Sequence, residues 1–230
     1  MANTGSTKLE MANPFLTTEV IRKPNTKDCR LLFLYPNERG MSTIPPSIAG
    51  LSQILKAEGH KTALFDTTFY KFDDELSIGD SDLVTNKALS NRPVLDIDDD
   101  DLHFKKTTRS AVLDFEAAID DFQPDIIAVS CTESTFLRAQ KLIEHTRSKG
   151  IKNIFGGVFP TFAPDLVMNY ENVDVLCVGE GENTIIDLAN SISNGDDYSN
   201  VTNLWIRNND GTVTKNSVSR PVDIDSLPAI

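Results

Sequence analysis

The stretch that decides the fold, residues 151–189, contains two glycine turns. Its sequence is IKNIFGGVFPTFAPDLVMNYENVDVLCVGEGENTIIDLA. Gly156 and Gly157 follow the apolar run NIF, and Gly179 and Gly181 follow the apolar run VDVLCV. Each pair stands between a short apolar segment, which predicts a buried strand, and a segment with helical spacing. The stretch therefore predicts two successive strand–turn–helix units.

The same unit recurs along most of the chain. Strands are predicted at CRLLFLYP (29–36), KTALFD (61–66), DIIAVSCT (125–132), KNIF (152–155) and VDVLCV (173–178). Helices are predicted at PSIAGLSQILKAEGH (46–60), AVLDFEAAIDDFQP (111–124), ESTFLRAQKLIEHTRSKG (133–150) and ENTIIDLANSISNG (182–195). This alternation predicts an α/β domain, doubly wound in the Rossmann or flavodoxin manner, with five parallel strands. Such sheets bind ligands outside the carboxyl ends of their strands, where the glycine turns lie.

The remaining segments define the predicted domain organisation. Residues 1–27 are a flexible leader, residues 28–200 form the α/β domain, and residues 67–110 are an insert too long for an ordinary loop. Within the insert, DIDDDD (96–101) lacks the ligand spacing of a calcium loop and is interpreted as a solvated acidic run. Residues 201–230 are predicted to form a β-hairpin around Asn-Asp-Gly and then a linker towards an absent catalytic domain.

The composition narrows the classes of partner. The 230 residues carry a formal net charge of -12, which argues against nucleic acid or an anionic membrane as a partner. No apolar stretch is long enough to span a membrane, and the leader does not resemble a signal peptide, so a cytoplasmic location is predicted. Cys29, Cys131 and Cys177 stand singly within or at the ends of apolar runs, as is typical of buried thiols in a reducing compartment.

The sequence around the glycine turns leaves two interpretations open. They are tight turns without a ligand, or they let the backbone touch a large, neutral ligand, in which case valine at Gly157 should weaken binding while the fold survives. Neither GxGxxG after the first strand nor GxxxxGK(S/T) occurs, which argues against dinucleotides and nucleoside triphosphates. Glu180 and Glu182 also occupy what would otherwise be an anion site at a helix start. Thr161 is predicted to cap the helix that carries Pro164.

Five segments, in this order, resemble the cobalamin-binding domain that precedes the catalytic barrel of radical S-adenosylmethionine enzymes. They are LLFLYPNERG with the following PPSIAGLSQILKAEGH, FQPDIIAVSCTEST, FGGVFPTFAPDLV, VDVLCVGEGENTIIDLA and VDIDSLP. The most specific feature is the pair of blocks Gly-Gly-x-x-x-Thr-x-x-Pro and Val-Gly-Glu-Gly-Glu at this separation. The resemblance implies cobalamin as the cofactor and a role as the cobalamin-binding module of a methyltransferase or a related enzyme.

The resemblance also implies which residues bind the cofactor. They are Pro36, Asn37, Glu38, Arg39 and Gly40 after the first strand, Ser130, Cys131 and Thr132 after the third, Gly156, Gly157, Phe159 and Thr161 after the fourth, and Gly179, Glu180, Gly181 and Glu182 after the fifth. The two glutamates suit the amide N–H groups of the corrin rim as acceptors. The loop at 36–42 is expected beneath the ring.

Two departures from related families set further expectations. The DxHxxG motif that supplies a cobalt-ligating histidine is replaced by NERGMS, and His60, His103 and His145 lie elsewhere, so no protein ligand to cobalt is predicted. The chain also lacks CxxxCxxC, so S-adenosylmethionine and a 4Fe-4S cluster are expected only in a missing or separate domain, in cis or in trans. The chain alone is not expected to be catalytic.

Two alternatives of other classes stay open. One is a flavodoxin-like or receiver-like module that binds a flavin or a protein partner. It is disfavoured because the first-strand loop lacks a Ser/Thr-rich phosphate nest and an acidic pair. The other is a remnant that binds no ligand.

Overall fold

The structure is a computed structural model that describes residues 28–37, 45–70, 72, 107–223, 225 and 227. The leader, the acidic run at 96–101, His103 and the predicted loop residues Glu38, Arg39 and Gly40 lie outside the described residues. Within the described part of the chain, no helix combines the length and the apolar character that crossing a membrane requires.

Strands and helices alternate along the described chain as far as the sixth helix, except that two short helices separate the fourth and fifth strands. Their bounds are β1 (Arg30–Tyr35), α1 (Pro46–Ala57), β2 (Lys61–Asp66), α2 (Ala111–Phe122), β3 (Ile126–Ser130), α3 (Glu133–Thr146), β4 (Lys152–Gly156), α4 (Val158–Phe162), α5 (Pro164–Met168), β5 (Val175–Cys177), α6 (Glu182–Asn194), β6 (Leu204–Arg207) and β7 (Val213–Lys215). A 3-10 turn, Arg147–Lys149, follows α3.

A single sheet joins the seven strands of the described residues in the order β2-β1-β3-β4-β5-β6-β7. The first five are parallel, whereas β6 runs antiparallel to β5 and β7 antiparallel to β6. The predicted α/β class with a mostly parallel sheet is confirmed, and the sheet has seven strands instead of five because the hairpin adds two antiparallel strands to the five parallel ones. The hairpin continues the sheet instead of leaving it, because Leu204 pairs with Cys177 at the β5 edge. The strand order reverses at β1, so the topological switch point lies between β1 and β3.

Apolar side chains cover both faces of the sheet. Phe115 of α2 and Phe155 of β4 are fully buried on the face covered by α2 and α3. Phe33 of β1 and Leu188 of α6 are buried on the other face, beneath α1 and α6. Successive strand residues point to opposite faces, which explains why the central strands are apolar throughout.

The two ends of the insert meet beside β2. Tyr70 and Thr107 form an isolated parallel bridge, and the Thr107 N–H donates to the Phe69 carbonyl at 2.8 Å. The Tyr70 hydroxyl donates to the Asp114 carboxylate of α2 at 2.8 Å. The base of the insert is therefore part of the folded domain.

Candidate functional site at the carboxyl edge of the sheet

The strand register aligns one residue from each parallel strand at the carboxyl edge of the sheet. Asp66 pairs with Tyr35, and Ser130 pairs with Gly156. Continuing the β1–β3 and β4–β5 registers by one residue places Tyr35 beside Ser130 and Gly156 beside Cys177. The turns that hold the sequence-predicted residues after β1, β3, β4 and β5 therefore meet at one edge.

Gly157 is required by the fold itself. Its φ is +108°, and a Cβ there would lie 2.6 Å from the backbone oxygen of Cys131. Cys131 is 3% exposed, and burial raises the pKa of its thiol to about 12. Valine at Gly157 should therefore destabilise the fold, contrary to the sequence-based expectation, because the side chain would strike the backbone that follows β3.

Gly179 and Thr161 link the turns after β5 and β4. Gly179 has a φ of +94°, and its N–H donates to the Thr161 hydroxyl at 3.2 Å. Thr161 lies inside α4, and the residue that precedes α5 as its N-cap is Ala163. The predicted capping role of Thr161 is therefore wrong, since its oxygen accepts from a turn 18 residues away.

Gly156 and Gly181 form what we call the glycine pair, because both adjoin Cys177. A Cβ at Gly156 would lie 3.8 Å from the Cys177 Cβ, and one at Gly181 would lie 3.9 Å from the Cys177 Sγ. Gly181 has a φ of -98°, which any residue adopts, and neither glycine has a positive φ. Neither backbone conformation nor protein packing therefore requires glycine at these two positions.

The two predicted glutamates have different surroundings. The Glu180 carboxylate accepts the Val222 N–H, and the Glu180 carbonyl accepts from the Asn203 side chain at 2.9 Å. The buried Glu182 Oε2 has no hydrogen-bond partner among the described residues. Burial raises the pKa of the Cys177 thiol to about 12, and the charge of Glu182 contributes to that increase. Glu182 is thus the glutamate with acceptor capacity to spare.

The exit of β1 is held by a buried polar network. Asn37 is 2% exposed, and its side-chain amide donates to the Thr68 hydroxyl at 2.9 Å. The Asn37 carbonyl accepts from the Thr67 hydroxyl at 2.9 Å and from the Arg138 guanidinium at 3.0 Å. Sequence reasoning missed Thr67, Thr68 and Arg138, and no local pattern marks them because their shared partner lies 30 to 101 residues away.

The residues of α4 divide between core and surface. The Phe159 ring packs edge-on against Phe136 with ring centroids 5.2 Å apart, so this predicted cofactor contact supports the core. Val158 and Phe162 are exposed at 62% and 84%, and Leu166 of α5 is exposed at 52%. An apolar surface therefore borders the turn that follows β4.

The two described histidines lie away from this edge. His60 precedes β2, where its Nδ1 accepts the Cys29 N–H at 3.2 Å and its Nε2 contacts Asn190 Oδ1 at 3.2 Å. It is 3% exposed, so it is a buried histidine whose two ring nitrogens both contact polar groups of the protein. His145 lies in the last turn of α3. Within the described ranges, no three His, Cys, Asp or Glu side chains are grouped as a metal site.

Comparisons with known proteins identify relatives of part of the chain. Residues 94–189 match the family model of the B12 binding domain. An uncharacterized methyltransferase of Pyrococcus horikoshii is 28% identical over 120 residues, which are 50% of this chain and 26% of that protein. The chain thus spans about a quarter of the curated relative that it matches.

Two solved enzymes have a similar fold. The radical S-adenosylmethionine methyltransferase TsrM from Kitasatospora setae, with cobalamin and a 4Fe-4S cluster bound, matches 87% of this chain and 31% of its own, at 16% identity and a TM-score of 0.55. The cobalamin-dependent S-adenosylmethionine radical enzyme OxsB, with aqua-cobalamin and S-adenosylmethionine bound, matches 84% of this chain and 23% of its own, at 18% identity and a TM-score of 0.51. The resemblance to a cobalamin-binding domain is confirmed over residues 94–189, and the likeness to the two enzymes is one of fold.

Proposed function

We propose that this chain, which carries a B12-binding domain similar to those of cobalamin-dependent radical S-adenosylmethionine enzymes, holds cobalamin at the carboxyl edge of its sheet for a separate catalytic domain. Bound cobalamin supplies a cobalt centre that carries a methyl group or assists radical chemistry. The chain's own contribution is to bind the corrinoid, orient it and present one of its faces to that domain.

The glycine pair carries this proposal. Gly156 and Gly181 are glycines that the fold does not require, and both lie at the edge where parallel sheets bind ligands. Glycine at such positions lets a ligand approach the backbone closely. The absence of side chains there is therefore best explained by a ligand that occupies the space.

The donor and acceptor groups of the edge also fit a corrinoid. The buried Glu182 oxygen has no partner in the described part of the chain, and the corrin rim carries amides whose N–H groups would satisfy it. The residues proposed to line the cofactor are Pro36, Asn37, Glu38, Arg39 and Gly40, Ser130 and Thr132, Gly156 and Gly157, Thr161, and residues 179–182, with Cys131 and Phe159 packed beneath the turns.

An exposed apolar rim supports a partner domain at the same edge. Val158 and Phe162 border the turn after β4, and Val218, which is 59% exposed, lies beside Gly179. Exposed apolar surface next to a ligand site marks an interaction surface. The matching region makes up less than a third of each of the two larger enzymes. We therefore propose a radical S-adenosylmethionine domain as the partner, in cis or in trans.

Hydroxocobalamin binding tests the proposal. The purified chain should retain hydroxocobalamin through gel filtration and shift its visible spectrum. Gly156→Ala and Gly181→Ala should each weaken binding by about tenfold, or ~1.4 kcal/mol, without unfolding the chain, because their Cβ atoms would take ligand space.

Gly211→Ala is the matched control. Gly211 has a φ of +83° in the β6–β7 turn, so alanine should cost about 1 kcal/mol of stability there and leave cobalamin affinity unchanged. Retention of flavin mononucleotide with no uptake of hydroxocobalamin would contradict the proposal. That result would favour the flavodoxin-like alternative, which shares the 2-1-3-4-5 order of the parallel strands.

A further inference from the structure

We infer that Asn203 is a positioning residue for the proposed cobalamin site, and that it couples cofactor binding to the docking of residues 217–223 on the turn at 179–181. This inference rests on the proposed function for the identity of the ligand. The residues that carry it are all described, and none of them belongs to the glycine pair.

The backbone of Asn203 marks it as a constrained position. Its φ is +67°, one of two positive values at non-glycine residues in the described chain, and it is 2% exposed. Asparagine adopts the left-handed conformation more readily than most residues, but the conformation persists only where surrounding contacts enforce it. The contacts made by Asn203 supply that enforcement.

On one side, Asn203 holds both flanks of Gly179. The Asn203 carbonyl accepts the Val178 N–H at 2.9 Å. Its side-chain Nδ2 lies 2.9 Å from the Glu180 carbonyl and 2.9 Å from the Thr184 hydroxyl. The turn that follows β5 is therefore fixed before and after its positive-φ glycine.

On the other side, Asn203 holds the C-terminal segment. Its N–H donates to the Ser217 carbonyl at 2.9 Å, and its Oδ1 accepts the Ser219 N–H at 2.6 Å. Its Nδ2 also lies 3.0 Å from the Ser219 hydroxyl, so three acceptors share the two amide hydrogens. The Glu180 carboxylate adds a bond to the Val222 N–H.

This arrangement makes one unit of the turn and the segment. Val218 packs against Gly179, since a Cβ at Gly179 would lie 3.4 Å from the Val218 Cγ1. This contact places an apolar side chain at the proposed cofactor edge. A cofactor that contacts the turn in this arrangement stabilises the docked segment, and by linkage the docked segment strengthens cofactor binding by the same factor. The segment is therefore part of the site and not only a linker.

Asn203→Gly tests the side chain without straining the backbone. Glycine accepts the left-handed conformation, so the variant should fold while it loses every bond of the amide. We expect hydroxocobalamin affinity to fall by about tenfold. Asn208→Gly is the matched control, because Asn208 also donates to threonine hydroxyls, at 2.9 and 3.0 Å, but does so in the β6–β7 turn.

Amide hydrogen exchange at Ser219 and Val222 distinguishes positioning from general stability. In the unaltered chain, hydroxocobalamin should slow exchange at both amides, and this ligand-dependent difference should disappear in Asn203→Gly but persist in Asn208→Gly. Equal affinities in the two variants, or exchange that hydroxocobalamin leaves unchanged in the unaltered chain, would overturn the inference.

Two further outcomes are separable. If Asn203→Gly unfolds, Asn203→Asp replaces it, because aspartate keeps the oxygen acceptor and tolerates the conformation while removing the donor. The affinity loss and the missing exchange difference are then expected in that variant, and their absence overturns the inference. If the unaltered chain binds no hydroxocobalamin, the proposed function fails. The coupling between cofactor binding and segment docking then fails as well. This holds even if amide exchange at Ser219 without ligand still differs between the unaltered chain and Asn203→Gly.

Discussion

The two edges of the sheet use polar side chains in opposite ways. At the amino edge, Asp125 accepts the Arg30 N–H at 2.9 Å and Asp174 accepts the Asn153 N–H at 3.0 Å, so carboxylates bind the start of the neighbouring strand. At the carboxyl edge, bare glycine turns meet beside a buried Glu182 oxygen without a described partner. The comparison teaches that carboxylates at the amino edge are used up in binding strand starts, whereas a buried carboxylate oxygen at the carboxyl edge keeps bonding capacity for a ligand.

The largest effect on stability is expected at Gly157, which lies at the carboxyl edge but has a structural role. Gly157→Val should lower the free energy of unfolding by about 3 kcal/mol, because φ is +108° and the new Cβ would meet the Cys131 carbonyl. Urea unfolding would measure the change, with Gly156→Ala as a control that should lose less than about 1 kcal/mol. A Gly157→Val protein as stable as the parent would show that the turn rearranges freely.

An intermediate effect on stability concerns the amino edge, where His60 is buried in its neutral form and accepts the Cys29 N–H. Burial lowers the pKa of His60 below its usual 6.5, although the Asn190 bond and the charges of Glu58 and Asp28 partly oppose this shift. The unfolded chain therefore takes up the proton first, and stability should fall as the pH drops below 6.5. The stabilisation is fully present above that pH.

His60→Asn sharpens this test because its side-chain oxygen can still accept the Cys29 N–H. Urea unfolding at pH 7.5, 6.5 and 5.5 should show a steeper loss of stability in the parent than in the variant. Parallel pH profiles would contradict the assignment of His60 as the titrating group. Cobalamin affinity at pH 7.5 should be the same in both proteins, since His60 lies at the edge opposite the proposed site.

The smallest effect concerns the cobalt of the bound cofactor, where we expect no coordination by a protein histidine. His60 and His145 lie towards the amino edge, so neither should reach a cobalt at the carboxyl edge. Electron paramagnetic resonance of the cobalt(II) form should be identical in protein made with ordinary and with 15N-labelled histidine. Nitrogen splitting that changed with the label and vanished in His103→Ala would contradict this and make the insert part of the site.

Much of the fold follows from local patterns in the sequence. The bounds of β2 and the starts of α2, α3 and α6 lie where the sequence pattern predicts them, and β1 is one residue shorter at each end than predicted. The sequence did not reveal that β6 would extend the sheet. Pairing of Leu204 with Cys177 depends on where the β5 edge lies once the domain has folded.

The sequence by itself determined the alternation of strands and helices, the position of the glycine turns and the resemblance to a cobalamin-binding domain, because these depend on residues close together in the chain. Only the tertiary structure decided which glycines the fold requires, how Glu180 differs from Glu182, and that Asn203 joins two segments. Each of these outcomes depends on contacts between residues far apart in the chain, such as Cys131 with Gly157 and Glu180 with Val222. Long-range contacts of this kind arise from packing and leave no periodic signal in the sequence.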